Sequence, residues 1–191
     1  MKNWTLEKEE RVFQTPRMEG VKATYVADDG ERFTHTIIKS QPSVAVIVKN
    51  DKDQIAFIKQ MRSTTGEYYM EIPAGLLNEG EDSIIDAAKR EVREESGYIV
   101  KDVQQLVKGP SLLDPSKSNE DFGVAIATAV SKKSRCLDES EHIDKSIVWI
   151  DEMEVFERLH DQMKNGKSFY EGLYLSGYTM YALLSYYFLE I

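Results

Sequence analysis

Two short runs, SVAVIVKN and KDQIAFIKQMR between residues 43 and 62, limit most strongly what this chain can fold into. Both are nearly continuous in apolar residues, the pattern of strands buried on both faces in a sheet that helices cover. Residues 21–39 alternate around ADDGER and read as a β-hairpin turning at Asp29-Gly30. Further strands are expected near 103–108, at FGVAIATAV and at KSIVWI, with GPSLLDPSKSNED forming a long loop between the first two. DEMEVFERLHDQMKNG reads as a helix with Met153, Phe156, Leu159 and Met163 on one side. Strands interleaved with helices, some joined as hairpins, give a mixed α/β sandwich rather than a doubly wound parallel sheet.

The 191 residues suffice for one domain with a small N-terminal appendage. A formal charge of −9 without a basic stripe argues against a nucleic-acid partner. An acidic chain still binds phosphates where a metal ion or local arginines supply positive charge. The one cysteine, Cys136, cannot form an internal disulfide, and MKNWTLEKEERVF lacks the apolar core of a signal peptide, so a cytoplasmic location is expected. Gly172–Leu189 carries no charge, but its glycines, serines and tyrosines make a poor membrane span, and a buried C-terminal helix is expected instead.

GLLNEGEDSIIDAAKREVREESGY, from Gly75 to Tyr98, raises the question of chemistry. Ser83 is placed to cap a helix, with Asp86 as its capping-box partner, and Gly97 ends it as a left-handed cap. On a wheel with Glu91 at zero, Glu95 falls near 40° and Glu94 near −60°, at about 100° per residue. Ile84, Ala87 and Ala88 share that sector, while Asp86, Lys89 and Arg93 lie across from it. These glutamates therefore extend the apolar stripe, at the helix end that the backbone dipole makes unfavourable for anions. Arg90 can pair with Glu94, but one arginine does not neutralise three carboxylates. Oxygen ligands of this kind suit Mg²⁺ or Mn²⁺, and a solvated acidic face is the alternative.

The stretch REVREESGY, preceded by Gly75 and Glu81, resembles the box of the Nudix hydrolases. That box reads Gly, five residues, Glu, seven residues, then R-E-U-x-E-E-x-G-U with U apolar. Here eight residues separate Glu81 from Arg90, which places an extra residue around Asp82-Ser83. The resemblance implies a Nudix-type α/β/α sandwich of mixed sheet with an N-terminal antiparallel hairpin subdomain. It also implies metal ligation by Glu91, Glu94, Glu95 and the Ala74 backbone carbonyl, with Arg90 orienting the glutamates.

A narrower likeness, to the ADP-ribose pyrophosphatase branch, rests on FIKQMRSTTGEYYMEIPAGLLNEGE. It implies that Arg62 contacts a diphosphate and that Glu71 sits beside substrate or metal-bound water. LDESEHI resembles the branch's acidic loop, which makes Glu139 the expected catalytic base with Glu141 assisting, beside Glu94 and Arg90. The N-terminal hairpin resembles an exchange domain, so residues 1–40 are expected to form a homodimer-exchange subdomain and residues 41–191 the hydrolase domain. SFYEGLYLSGYTMYALL departs from the branch in lacking an Asp-x-x-Thr helix.

The activity so implied is an Mg²⁺-dependent cleavage of ADP-ribose or a related nucleoside diphosphate sugar, with Mn²⁺ as an alternative ion. Competing expectations are another nucleoside diphosphate derivative as substrate, or a non-catalytic binding module. His35, His142 and His160 are scattered, which argues against zinc. Tyr68, Tyr69 and the C-terminal tyrosines read as core or dimer contacts, and Trp4 and Phe13 as stacking residues for adenine or as packing.

Overall fold

The computed structural model describes residues 1–81, 83–108, 111–133 and 146–189. The chain divides into two compact units, Met1–Pro42 with Pro110–Phe122, and Ser43–Gly109 with Gly123–Ile191.

The first unit is an antiparallel sheet of β1 (Trp4–Gln14), β2 (Met18–Ala27) and β3 (Arg32–Ser40), in that order. The hairpin expected at Asp29-Gly30 forms, with Gly30 at φ 86°. β1 was not expected as a strand, because WTLEKEERVFQ carries charge where a strand normally carries apolar residues. All eleven of its residues are exposed. Pairing with β2, rather than burial, makes it a strand, and cross-strand ion pairs such as Glu7–Arg32 and Glu9–Lys39 hold it in place. The loop after Ser111 is fastened along β3, where Ile38 N–H donates to Lys117 O (2.7 Å) and Asn119 N–H to Ile38 O (3.2 Å).

The second unit carries the buried strands. β4 (Ser43–Lys49) and β5 (Gln54–Arg62) lie beside β6 (Glu67–Glu71), β7 (Ala74–Leu76), β8 (Tyr98–Gln105), β9 (Phe122–Lys132, from Gly123 on in this unit), β10 (Val148–Asp151) and β11 (Tyr174–Leu175). Their order is β11-β6-β5-β4-β9-β8, with β10 on β5 and β7 on β4; β11 runs parallel to β6. β8 starts directly after Gly97, earlier than the 103–108 expected from the sequence, because that glycine reverses the chain straight into the sheet.

Even-numbered β4 and β5 residues pack on helix α1 (Ile84–Glu91): Val44, Val46, Val48 and Ala56 meet Ala87, Ala88 and Val92 with Val100, Ala125 and Ala127. Odd-numbered residues point the other way. There Phe57 meets Phe169 (5.2 Å between ring centres), and Lys49 reaches α2 (Glu152–Asn165) and α3 (Gly177–Leu189) through Glu152 and Tyr186. Burial of the strands on both faces, and with it the mixed α/β fold, is thus borne out. Among the described residues no helix is long and apolar enough to cross a membrane.

The expected apolar side of α2 is corrected. Val155 and Leu159 are buried, whereas Met153, Phe156 and Met163 are exposed. The sheet sets the helix rotation through Asp151, which is both the last residue of β10 and the helix cap (Met153 N–H to Oδ1, 3.0 Å). Leu159→Ala should therefore cost about 2–5 kcal/mol, and Met153→Ala no more than about 0.5 kcal/mol. Urea unfolding of the two variants measures both; equal losses would restore the sequence-based face.

Candidate active site

Helix α1 begins at the expected cap, with Ser83 Oγ accepting the Ile85 N–H (3.1 Å). The expected capping box is corrected, because the Asp86 carboxylate turns to Lys89 (3.7 Å) rather than back to Ser83. After Glu91 the backbone widens into a π-helical turn, Val92–Ser96, before Gly97 stops it at φ 76°. Such turns recur at functional sites because they re-aim side chains within a helix. The regular wheel is thus corrected over its last turn, but its main result stands: Glu91 and Glu95 are 4% and 1% exposed, and Asp86, Lys89 and Arg93 face solvent.

Arg90 organises this end of the helix. Its guanidinium donates to Glu81 through Nε (2.8 Å) and Nη2 (3.0 Å), to Glu91 (2.6 Å) and Glu94 (2.9 Å) through Nη1, and to the Leu76 carbonyl (2.8 Å). The Glu81 carboxylate pulls the Arg90 pKa up against the opposing effect of burial, and Arg90 in turn holds Glu81 below its ordinary value. The extra residue before Arg90 does not displace Glu81 from this contact. Glu81 also closes its own turn by accepting the Asn78 N–H (2.7 Å).

Gly75 explains how Glu91 lies so close to β7: an added Cβ would stand 2.1 Å from its Oε1. Glu95 accepts the Ala74 N–H (2.9 Å) and so ties the helix to the β6–β7 turn. Three residues earlier, Glu71 is fully buried and receives a two-pronged bond from Arg62, Nε to Oε1 (3.0 Å) and Nη2 to Oε2 (2.6 Å). Burial lowers the Arg62 pKa, but Glu71 and Tyr178 hold it above its ordinary value.

The structure therefore brings Arg90, Glu91, Glu94, Glu95 and Ala74 into one constellation, joined to Arg62 and Glu71 through the short Glu71–Ala74 segment. Glu139 and Glu141 lie outside the described residues. Two further residues stand at this place. The Tyr178 hydroxyl donates to Glu71 Oε2 (2.5 Å) and accepts from Arg62 Nη2 (2.7 Å), bonds that the expectation of a core or dimer tyrosine did not include. Gln60, 6% exposed and one pleat before Arg62 on the same face, has an Oε1 that meets no donor among the described residues. Neither had a sequence signal: Tyr178 sits in a tyrosine-rich helix and Gln60 in an apolar strand.

As the side chains stand, no three acidic residues among the described ones form a ready metal cage. Glu91 and Glu94 each turn an oxygen to Arg90, and Glu95 turns one to Ala74. The donor set nevertheless fits a divalent cation. Three carboxylates meet one guanidinium, a fourth, Glu95, lies on the same helix against Ala74, and Glu91 and Glu95 are nearly inaccessible. A hard cation held by oxygen atoms balances such an excess.

Comparison with known proteins agrees with this geometry. The model of the NUDIX domain matches residues 39–172. The ADP-ribose pyrophosphatase of Bacillus subtilis (strain 168) is 32% identical over 126 residues, covering 63% of this chain and 66% of that protein. The methanol dehydrogenase activator of Bacillus methanolicus is 31% identical over 126 residues, 65% of this chain and 66% of that protein. The ADP-ribose pyrophosphatase of Mycobacterium tuberculosis (strain ATCC 25618 / H37Rv) is 32% identical over 117 residues, 61% of this chain and 55% of that protein. The alignments thus span two thirds or less of these relatives. A solved structure described as an ADP compounds hydrolase shares the fold, with a TM-score of 0.72 at 21% identity over 95% of this chain and 91% of that one. This chain belongs to the Nudix hydrolase family. Its likeness to the ADP-ribose pyrophosphatase branch, drawn above from Phe57 to Glu81, is borne out by the relatives.

The Glu81–Arg90 pair makes a pH-dependent contribution to stability. Because the folded-state pKa of Glu81 is depressed, the contribution is present above its ordinary value of 4.5 and is lost as pH falls through the lower folded value. Glu81→Gln should cost about 1–3 kcal/mol near neutrality, a Tm loss of roughly 2–10 °C for a chain of this size. The difference from wild type should close on acidification below 4.5. A gap that persists unchanged in acid, followed by calorimetry, would remove the pair from this role.

Proposed function

We propose that this Nudix chain hydrolyses the diphosphate linkage of ADP-ribose or a related nucleoside diphosphate sugar in an Mg²⁺-dependent reaction, releasing a nucleoside monophosphate and a sugar phosphate. The observation that carries this reading is the short Glu71–Ala74 segment. At one end it bears the Arg62–Glu71 pair, and at the other it is bonded to the acidic helix through Glu95. A cation site and an anion-binding arginine therefore share one piece of backbone, as a diphosphate with its counter-ion requires.

Glu91, Glu94, Glu95 and the Ala74 carbonyl would hold the ion, with Arg90 keeping the glutamates in place. When bound, a divalent ion lowers the pKa of water and offsets charge on phosphoryl oxygens. Arg62 binds the diphosphate, and Glu71 orients Arg62. Water oxygen bonds to one phosphorus, the bond from that phosphorus to the bridging oxygen breaks, and the other phosphate leaves with the bridging oxygen. Glu139 takes the proton of the water, with Glu141 assisting.

Turnover of a panel of nucleoside diphosphate derivatives with and without Mg²⁺ tests the activity. Glu95→Gln should lower kcat by a factor of at least about 10², the scale on which lost metal ligation or proton transfer is felt. Its fold should survive, since the amide oxygen still accepts the Ala74 N–H. Glu139→Gln should cut kcat by roughly 10²–10⁴. A wild type that binds but never turns over the panel would leave a binding module as the function.

We further propose that the N-terminal sheet docks on a second copy of the chain. Trp4, Phe33 and Tyr25 form an aromatic row across β1, β3 and β2, and Trp4 and Phe33 remain 39% and 45% exposed. Exposed aromatic surface of this kind favours association. Phe33→Asp should convert a dimer to a monomer in light scattering; a wild-type protein that is monomeric at all concentrations contradicts the proposal.

A further inference from the structure

Arg62, Glu71 and Tyr178 form a closed ring of hydrogen bonds. Arg62 Nε and Nη2 donate to the two Glu71 oxygens, the second Nη2 hydrogen goes to the Tyr178 hydroxyl (2.7 Å), and that hydroxyl donates to Glu71 Oε2 (2.5 Å). A guanidinium has five N–H groups in a fixed plane. Three are consumed here, and both belonging to Nη1 meet no acceptor among the described residues. Glu71 is wholly buried, yet the Arg62 side chain keeps 37% exposure. The ring therefore fixes which edge of the cation is sealed inside and which is offered outward.

Tyr178 comes from a distant part of the chain, at the start of α3, and the next residue secures it. Thr179 is fully buried, and its hydroxyl accepts from the Ile72 N–H (3.3 Å) and from the Ser176 hydroxyl (3.0 Å). The first turn of α3 thus grips both Glu71 and Ile72. The Tyr178 ring also stands 5.5 Å from the Arg62 guanidinium carbon, so ring and hydroxyl constrain the same group by separate means.

We propose that Tyr178 is a positioning residue that sets the plane of Arg62, so that the Nη1 edge meets the diphosphate of the substrate. The proposal rests on the reading above that Arg62 is the diphosphate contact. Without the hydroxyl, Nη2 loses its second acceptor and Glu71 loses a donor. The guanidinium is then free to tilt about its remaining pair of bonds, and an anion finds the edge only part of the time.

Tyr178→Phe isolates the hydroxyl, because the ring and its stacking remain. The expected result is a rise in KM of about tenfold, the worth of one hydrogen bond to a charged group, with kcat changed less than about threefold. The Kd for inorganic pyrophosphate, by calorimetry, should rise by a similar factor. In an Arg62→Lys background the same substitution should add less than about twofold, since an ammonium has no second edge to be aimed. Melting curves on each variant separate misfolding from mispositioning. A large loss of kcat with KM unmoved would make Tyr178 a catalytic residue and overturn the proposal, as would full additivity with Arg62→Lys or an unchanged KM and Kd. If wild type turns over no nucleoside diphosphate derivative, the proposed function fails first, and the pyrophosphate arm still decides whether Tyr178 positions Arg62.

Discussion

The Arg90 guanidinium is the charge on which this end of the molecule depends. It faces Glu81, Glu91 and Glu94 and also holds the Leu76 carbonyl at the end of β7. Without it, Glu91 and Glu94 would repel each other at the C-terminal end of a helix, where the backbone already disfavours anions, and Glu81 would lose its partner. With it, the loop through Glu81, the strand through Leu76 and the helix through Glu91 and Glu94 are gathered around one group. This end of the molecule still carries more negative than positive charge.

Packing explains why the acids stay close rather than swinging into water. Ala87, Ala88 and Val92 press α1 onto the even face of β4 and β5, so residues on that stripe have nowhere to go but inward. Gly75 removes the one Cβ that would keep Glu91 away from β7. The π-helical turn then widens the helix at the residues that carry Glu94 and Glu95. A helix end that is poor by propensity is thereby held in place by the sheet beneath it.

Two arginines divide the work between them. Arg90 is enclosed by acids on the helix side, whereas Arg62 is bound along one edge only, by Glu71 and Tyr178. The first arrangement surrounds a cation with anions, and the second leaves the Nη1 edge of a cation without an acceptor among the described residues. The Glu71–Ala74 segment carries the acid bound by Arg62 at one end and is bonded to Glu95 of the acidic helix at the other.

The sequence by itself determined what depends on near neighbours. The apolar runs of β4 and β5, the Ser83 cap, the Gly97 stop and the inward lean of Glu91 and Glu95 all follow from spacing within a few residues. The box motif similarly named Arg90 and its glutamates, because they lie within one helix. Only the tertiary structure decided matters that join distant residues. The exposure of Met153, Phe156 and Met163 followed from how β10 feeds α2, not from the α2 pattern. β1 exists because β2 offers it an edge, although its charged sequence gives no strand signal. Above all, Tyr178 reaches Glu71 and Arg62 across more than a hundred positions of chain. In sequence it is one tyrosine among several, and only the docking of α3 gives its hydroxyl a partner.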